Sequence, residues 1–228
     1  MEIIQSENLK RDKNFKMLLY AKPGTGKTST VRYLDGKTLL LDIDHTSQVL
    51  SGLPGISIVK INPENVTADI VEFFGYAKAH IQEFDNIVID NLSHYQKLWF
   101  MEKGKKTKSG QPELQHYGIF DNHILNMVST FSTLDANIIF TAWENTRQIQ
   151  LENGQLFNQF LPDIRDKVVN HVMGIIPVVG RLVKNPETNV RGFLLSESNG
   201  TFAKNQLDNR TFALQEDIFK VGDIGDPA

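Results

Sequence analysis

Short, nearly continuous apolar runs alternate with amphipathic segments along much of the chain. Such runs are typical of parallel strands that are covered on both faces. They span residues 15–20, 38–43, 57–61, 86–90 and 137–143. Apolar residues between them recur at steps of three and four, which predicts helices over 28–34, from a Thr67 cap to 84, over 92–99 and over 117–134. The alternation predicts an α/β fold with a mainly parallel central sheet and helices on both faces.

The pattern changes after Trp143. Asn153-Gly154 separates two alternating segments, 146–151 and 155–160, which predicts a β-hairpin. A helix over 163–173 then leads to further strands, which we expect to be antiparallel at the C-terminal edge of the sheet, over 175–184, 191–196 and 201–204. We expect one domain over 1–214, with 1–14 as an N-terminal extension and 215–228 as an acidic, flexible tail.

Composition adds only broad limits. The chain has 228 residues, a formal net charge of -3 and no cysteine. Its length suits one substantial domain, and its charge gives no overall nucleic-acid signature. The sequence shows neither a signal peptide nor an apolar run of membrane-spanning length, so we expect a cytoplasmic protein without a membrane partner.

The first candidate chemistry lies between the first predicted strand and helix. The segment 21–28, Ala-Lys-Pro-Gly-Thr-Gly-Lys-Thr, follows the phosphate-binding pattern except that Ala21 replaces its first Gly. The predicted ligands are ATP and Mg²⁺: Lys27 would reach the β- and γ-phosphates and Thr28 would ligate the metal. The alternative is a glycine turn before Lys-Thr by chance. The residues expected to bind nucleotide are Pro23, Gly24, Thr25, Gly26, Lys27, Thr28 and Ser29.

Acidic residues end two of the predicted strands. Asp90 stands where a Walker B aspartate would hold Mg²⁺ with Thr28, or it caps the following helix. Asn91 follows, where AAA-type motors usually carry the Glu that activates water. Asp42 and Asp44 share a face near the end of the second strand, and Asp44 is the favoured catalytic acid. A simple turn at Asp44 is equally compatible with the pattern.

Further polar residues follow the strand that ends near Trp143. Thr141 and Glu144 are positioned to sense the γ-phosphate. A solvated strand terminus explains both almost as well.

The order of these motifs resembles the RecA-like ATPases, and more narrowly the small phage P-loop proteins that act as single-strand annealing recombinases. The likeness rests on 21–28, Asp42-Ile43-Asp44, Ile87 to Asp90 and Ala203-Lys204-Asn205. It implies a RecA-like P-loop NTPase fold and a phage or prophage protein in a bacterial host. It also implies annealing or homologous recombination on single-stranded DNA, and a homo-oligomer with nucleotide near subunit interfaces.

The same resemblance implies a catalytic role for Lys204, which would reach a neighbouring subunit's nucleotide. Gln206 replaces the Arg of that family's motif, and Arg210 is a candidate substitute. An edge-strand lysine that opposes aggregation is the alternative for Lys204. We also expect a protein partner for the acidic tail.

A lysine-rich stretch is the candidate DNA site. A flexible loop of like charges after the Asp90 helix would follow a phosphodiester backbone, and a solvated loop is the alternative reading. The family resemblance strengthens the DNA reading. The lysines are Lys103, Lys105, Lys106 and Lys108.

Other functions remain open. An AAA-type helicase loader or motor is one alternative, although Asp90-Asn91 counts against it. A nucleotide-gated interaction protein with little turnover is another. A nucleotide kinase would need an arginine-rich lid, and a GTPase would need a guanine motif that Lys204-Asn205-Gln206 does not supply.

Overall fold

The computed structural model describes residue 5 and residues 13–150 and 154–221. Within these ranges the strands are β1 (Lys16–Ala21), β2 (Thr38–Asp42), β3 (Ile56–Lys60), β4 (Asn86–Asp90), β5 (Asn137–Gln150), β6 (Leu156–Pro162), β7 (Val178–Lys184), β8 (Arg191–Leu194), β9 (Lys204–Asn205) and β10 (Phe212–Leu214). The α-helices are α1 (Lys27–Thr30), α2 (Val66–Ala79), α3 (Leu92–Lys105), α4 (Leu114–Phe131) and α5 (Asp166–Ile175). No helix in this described part is both long and apolar enough to cross a membrane.

The strands form one mixed sheet in the order β10-β8-β7-β1-β5-β4-β2-β3. All pairs from β7 to β3 along this order are parallel, whereas β8, β9 and β10 pair antiparallel at one edge. This confirms the predicted α/β P-loop NTPase fold class. β5 lies between β1 and β4. Because all three are parallel, their carboxyl ends lie side by side at one edge of the sheet.

Alternate residues of β1 enter different apolar cores. Leu18 and Tyr20 belong to the larger core, which contains residues of α2, α3, α4 and α5, while Met17 and Leu19 belong to the smaller one. This is the two-residue period of a strand that is covered on both faces. Burial of both faces fixes the end of β1, from which the candidate phosphate loop emerges.

The C-terminal strands differ in part from the prediction. β7 pairs parallel with β1, because α5 carries the chain back across the sheet before β7 begins. β9 covers Lys204–Asn205 only, and Thr201 makes isolated bridges. The sequence pattern did not indicate β10, which has three residues. The predicted pairing is present as β5 against β6, and residues 151–153 between them lie outside the described residues.

Helix boundaries also differ from the sequence pattern. α1 ends at Thr30 and continues as a 3₁₀ turn through Tyr33. The N-cap of α2 is Asn65, and Thr67 is a helical residue whose backbone N–H is satisfied by Glu102 of α3. A tertiary hydrogen bond has therefore replaced the expected Thr67 cap. α5 begins at Asp166, three residues after the predicted start.

The segment from Gln215 packs against the body of the protein. Gln215 and Ile218 are buried, and the ring of Phe219 stacks on Phe15 with centroids 5.6 Å apart. Residues 215–221 therefore depart from the expected flexible tail, because Ile218 and Phe219 join the smaller core. Residues 222–228 and nearly all of the expected N-terminal extension lie outside the described residues.

Candidate functional site

The phosphate-loop sequence forms the turn between β1 and α1. Gly24 and Gly26 have φ values of 76° and 113°, which L-residues with a side chain rarely adopt. Ala21 is the last residue of β1, fully buried and in register with Trp143 of β5. The first position of the motif is therefore extended strand here, which explains why alanine is tolerated in place of glycine.

Two residues from the C-terminal edge support this loop from behind. Arg191 Nε donates to the Thr25 carbonyl at 2.8 Å. Gln215 Nε2 donates to the Gly26 carbonyl and to Thr30 Oγ1, both at 2.9 Å. The carbonyls of Thr25 and Gly26 are therefore held by side chains from the C-terminal edge of the sheet. The sequence pattern did not indicate either residue, because they lie 166 and 189 positions away from their partners.

Lys27 is 7% exposed and lies at the start of α1. Its ammonium donates to the carbonyls of Ala21 at 3.3 Å and Lys22 at 3.5 Å. Burial lowers the pKa of Lys27, and the carboxylates of Asp90, Asp44 and Glu144 oppose that shift. A buried ammonium held by two long carbonyl contacts is suited to phosphate oxygens, which would replace those contacts.

Asp90 at the end of β4 contacts the phosphate loop directly. Its Oδ2 accepts from Thr28 Oγ1 at 2.6 Å, and its Oδ1 accepts from Thr141 Oγ1 of β5. Burial, and then the negative charge of Asp44, raise the pKa of Asp90 to about 6, while bonds from Thr141 and Thr28 and the charge of Lys27 oppose the shift. An added cation near these oxygens would favour the carboxylate form.

These elements enclose one pocket at the carboxyl edge of the parallel strands. Its volume is about 440 Å³. Six of the seven residues expected to bind nucleotide line it, together with five others; the lining is Pro23, Gly24, Gly26, Lys27, Thr28, Ser29, Asp44, Thr46, Val49, His94 and Trp143. Thr25, the seventh, is held from outside by Arg191. The structure thus gathers the phosphate loop and Asp44 around a single cavity.

A family model described as an AAA domain matches residues 13–207, which contain the loop, Asp90 and nearly the whole sheet. The chain belongs to the AAA domain family. This membership supports a nucleotide-binding ATPase. Asp90-Asn91, which counted against an AAA-type protein in the sequence, is therefore compatible with this family. No curated protein shows significant similarity to the chain.

The donor atoms in this AAA domain fit Mg²⁺. The Thr28 hydroxyl and the Asp90 carboxylate are hard oxygen donors in mutual contact, and the phosphate loop beside them would supply phosphate oxygens from a bound nucleotide. Thr28 and Asp90 are therefore the residues that would hold the ion. When bound, it would neutralise charge on the phosphates.

Asp42 and Asp44 have different surroundings. Asp42 is fully buried, and its two oxygens accept from the backbone N–H groups of Thr46 at 3.1 Å and Ser47 at 3.2 Å. Asp44 is half-buried and lines the pocket. Its Oδ1 accepts from Thr46 Oγ1 at 2.6 Å. Asp42 therefore holds the turn after β2, which leaves Asp44 as the acid that lines the pocket.

Two pocket residues had no signal in the sequence. His94 lies in the first turn of α3, and its ring lies 5.6 Å from that of Trp143 at the end of the parallel part of β5. The Lys97 ammonium lies 4.4 Å from the centre of the Trp143 ring. His94 Nδ1 is buried without a hydrogen-bond partner among the described residues. Burial lowers the pKa of His94, so a neutral ring lines this wall of the pocket near neutral pH.

Thr141 and Glu144 each have a partner within the protein. Thr141 donates to Asp90, as described above. Glu144 forms a buried ion pair with Arg181 Nε of β7 at 2.7 Å. Glu144 contributes negative potential at Lys27. Thr141 is therefore linked to the loop through Asp90, and Glu144 acts on Lys27 through its charge.

Lys204 and Arg210 make contacts within their own chain. Lys204 Nζ donates to the Gly174 carbonyl in the last turn of α5 at 2.8 Å. Arg210 is paired with Asp208 at 2.8 Å and also bonds the carbonyls of Asp217 and Ile218. The structure does not bring either residue to the pocket lining. A role in a neighbouring subunit would require Lys204 to leave its helix-end contact.

The lysine-rich stretch is more ordered than the flexible loop that the sequence suggested. It comprises Lys103 and Lys105 in the last turn of α3, Lys106 at its C-cap, and Lys108 in the connection to α4. The first and third pair with Glu102 at 3.2 and 3.0 Å, and the second pairs with Glu64. These ion pairs, with the stabilising effect of cations at a helix C-terminus, account for the helical conformation.

Proposed function

We propose that this AAA domain hydrolyses ATP with Asp44 as general base. The observation that carries the proposal is the position of the Asp44 carboxylate in the lining of the phosphate-loop pocket. The Thr46 hydroxyl lies between the acid and the loop, since its Oγ1 donates to Asp44 and lies 3.1 Å from Thr28 Oγ1, which itself donates to Asp90. The acid and the expected phosphate site therefore line the same pocket, where a water molecule between them could be activated.

Each residue has a distinct part in the proposed reaction. The N–H groups of the loop and the Lys27 ammonium bind and orient the phosphates. Asp44 accepts a proton from water as the water oxygen attacks the γ-phosphorus. The bond from that phosphorus to the β–γ bridging oxygen breaks, which releases ADP and inorganic phosphate. Positive charge from Lys27 stabilises the negative charge that develops on the transferred group.

The test compares two single substitutions with the intact protein. Asp44→Asn should lower kcat about 100-fold or more while ATP affinity changes little, because a general base acts mainly in the transition state. Lys27→Ala should weaken ATP binding itself, as it removes a phosphate contact. Steady-state phosphate release gives kcat, and the change in tryptophan fluorescence reports binding, because Trp143 lines the pocket whereas Trp99 is buried in the larger core. Unchanged turnover in Asp44→Asn would overturn the assignment.

We also propose that the ATPase acts on single-stranded DNA, as the resemblance to RecA-like annealing recombinases suggests. Two features support a DNA-facing surface. The four lysines, Lys103, Lys105, Lys106 and Lys108, lie at the end of α3 and in the connection that follows it. The β5–β6 hairpin continues directly from Trp143, so a ligand on the hairpin would be connected to the nucleotide pocket through one strand.

DNA binding is measured as a function of salt. Replacing the four lysines with Gln should weaken retention of single-stranded DNA and flatten its salt dependence, because fewer counterions are released. Basal ATPase should stay near that of the intact protein. As a matched control, Lys78 and Lys184, on α2 and β7, are replaced together. An unchanged salt slope in the four-lysine variant would place DNA elsewhere, and no retention at low salt would contradict the DNA proposal.

A further inference from the structure

Asn91 makes two hydrogen bonds with the two ends of its side-chain amide. The residue is fully buried between β4 and α3. Its Oδ1 accepts from the His94 backbone N–H at 2.8 Å, which caps α3. Its Nδ2 donates to Asp44 Oδ2 at 2.5 Å. Because the cap requires the amide oxygen, the NH₂ group can only face Asp44.

We propose that Asn91 is the positioning residue of Asp44, an inference that rests on the proposed role of Asp44 as base. Asp44 lies beyond the end of β2 and receives one donor on each oxygen, Thr46 on Oδ1 and Asn91 on Oδ2. Each oxygen keeps a second acceptor site that can take a water molecule. Asn91, the donor to Oδ2, lies between the buried end of β4 and the first turn of α3. It therefore holds the carboxylate against two rigid elements.

The same contact explains the departure at the residue after Asp90. An acid at position 91 would place a second carboxylate against Asp44 and beside buried Asp90. Two like charges at that distance in a buried site repel strongly. The acid at 44 and the amide at 91 therefore depend on each other. The carboxylate follows the second strand, and the amide that bonds it follows Asp90.

Two substitutions separate positioning from capping. Asn91→Ser and Asn91→Asp both keep an oxygen that caps a helix well, but neither presents the amide donor to Asp44. Each should lower kcat about 10- to 100-fold, and in Asn91→Ser, which adds no charge beside Asp90, the ATP dissociation constant from tryptophan fluorescence should change less than about threefold. Asn65→Ser is the matched control, because Asn65 is the N-cap of α2 and makes no side-chain cap bond. It should leave kcat within about twofold.

A reciprocal double variant tests the pair itself. Asp44→Asn with Asn91→Asp restores one amide and one carboxylate, so the melting temperature should return towards that of the intact protein. Its kcat should remain low, because the carboxylate now lies after β4. Recovery of folding without recovery of kcat supports a positioning role. Loss of folding in the double variant, with both single variants folded, would contradict a direct pair.

The outcomes distinguish this inference from the proposed function. An inactive Asp44→Asn together with fully active Asn91→Ser would overturn the inference alone. Full activity of Asp44→Asn would remove the base assignment, and the inference with it. If Asn91→Ser lost ATP affinity and melting temperature in proportion to kcat, Asn91 would have only a structural role. For Asn91→Ser we expect a low kcat, with an ATP affinity and a melting temperature near those of the intact protein.

Discussion

Asp42 and Asp44 are two positions apart, yet their hydrogen bonds differ in kind. Asp42 accepts from two backbone N–H groups in the turn that follows β2. Asp44 accepts from two side chains, those of Thr46 and Asn91, in the pocket. The sequence could not separate these roles beyond nearness to the strand end, because both patterns begin with an acid after an apolar run.

Asp42→Asn should destabilise the protein. The amide would offer one acceptor for two N–H groups and would turn its own NH₂ towards the other, which leaves a buried donor unpaired. The expected loss in the free energy of unfolding is about 1–3 kcal/mol, measured by urea denaturation. Asp35→Asn, at an exposed position, is the control and should change stability by less than about 0.5 kcal/mol. Equal stabilities for the two variants would argue against the turn role of Asp42.

Local motifs and tertiary partners were not equally predictable. The phosphate loop and Asp90 have a fixed order between strands and helices, so one sequence was enough to propose them. Asn91 and Asp44 meet across 47 positions, and Gln215 and Gly26 meet across 189. Such contacts depend on the strand order of the sheet, which local periodicity does not specify. His94 likewise enters the pocket only because the first turn of α3 faces Trp143.

Among the elements, α2 and α3 are joined by one buried acid. Glu102 near the end of α3 accepts from the Thr67 N–H at the start of α2 and from the ammonium groups of Lys103 and Lys106. Apolar periodicity correctly predicted both helices, but it could not place their ends. The end of α3 and the start of α2 share this carboxylate, which pairs with Lys103 in the last turn of α3 and with Lys106 at its C-cap, and which satisfies the N–H of Thr67, the expected cap.

Glu102→Gln should lower stability in a pH-dependent way. Burial alone would raise the pKa of Glu102, but the bonds from Thr67, Lys106 and Lys103 outweigh it and lower the pKa to about 2 from 4.5. The folded-state pKa is depressed, so the stabilisation is present above about pH 4.5 and is lost as the pH falls towards 2. On the order of 3 kcal/mol should therefore separate Glu102→Gln from the intact protein at pH 7.

Urea denaturation at pH 7 and at pH 3 measures this difference. The gap between the intact protein and Glu102→Gln should narrow at pH 3, because the intact protein then loses much of the stabilisation that the variant never has. Glu64→Gln is the matched control: Glu64 pairs with Lys105 at an exposed site, where an ion pair contributes at most about 1 kcal/mol. If the difference in the free energy of unfolding between the intact protein and Glu102→Gln stayed constant with pH, the loss would come from packing and not from the charge of Glu102.

The antiparallel edge of the sheet supports the nucleotide pocket. Arg191 begins β8, and Gln215 follows β10, so residues from both strands or their ends bond the phosphate loop. The ion pair between Glu144 and Arg181 also joins β5 to β7. The sequence indicated an antiparallel edge but gave no reason for it. The structure supplies one, since the edge fixes the outer side of the loop.

Hydrogen exchange should show this connection. ATP binds the folded state and stabilises the whole chain. Backbone amides of β8 and β10 should gain more protection with ATP than those of β3, which lies at the opposite edge of the sheet. In Gln215→Ala the excess protection should fall, because the buried amide no longer holds the Gly26 carbonyl and Thr30. Gln206→Ala, at an exposed position, should retain it. If β10 gained equal excess protection in the Gln215 and Gln206 variants, the loop and the edge would respond to nucleotide independently.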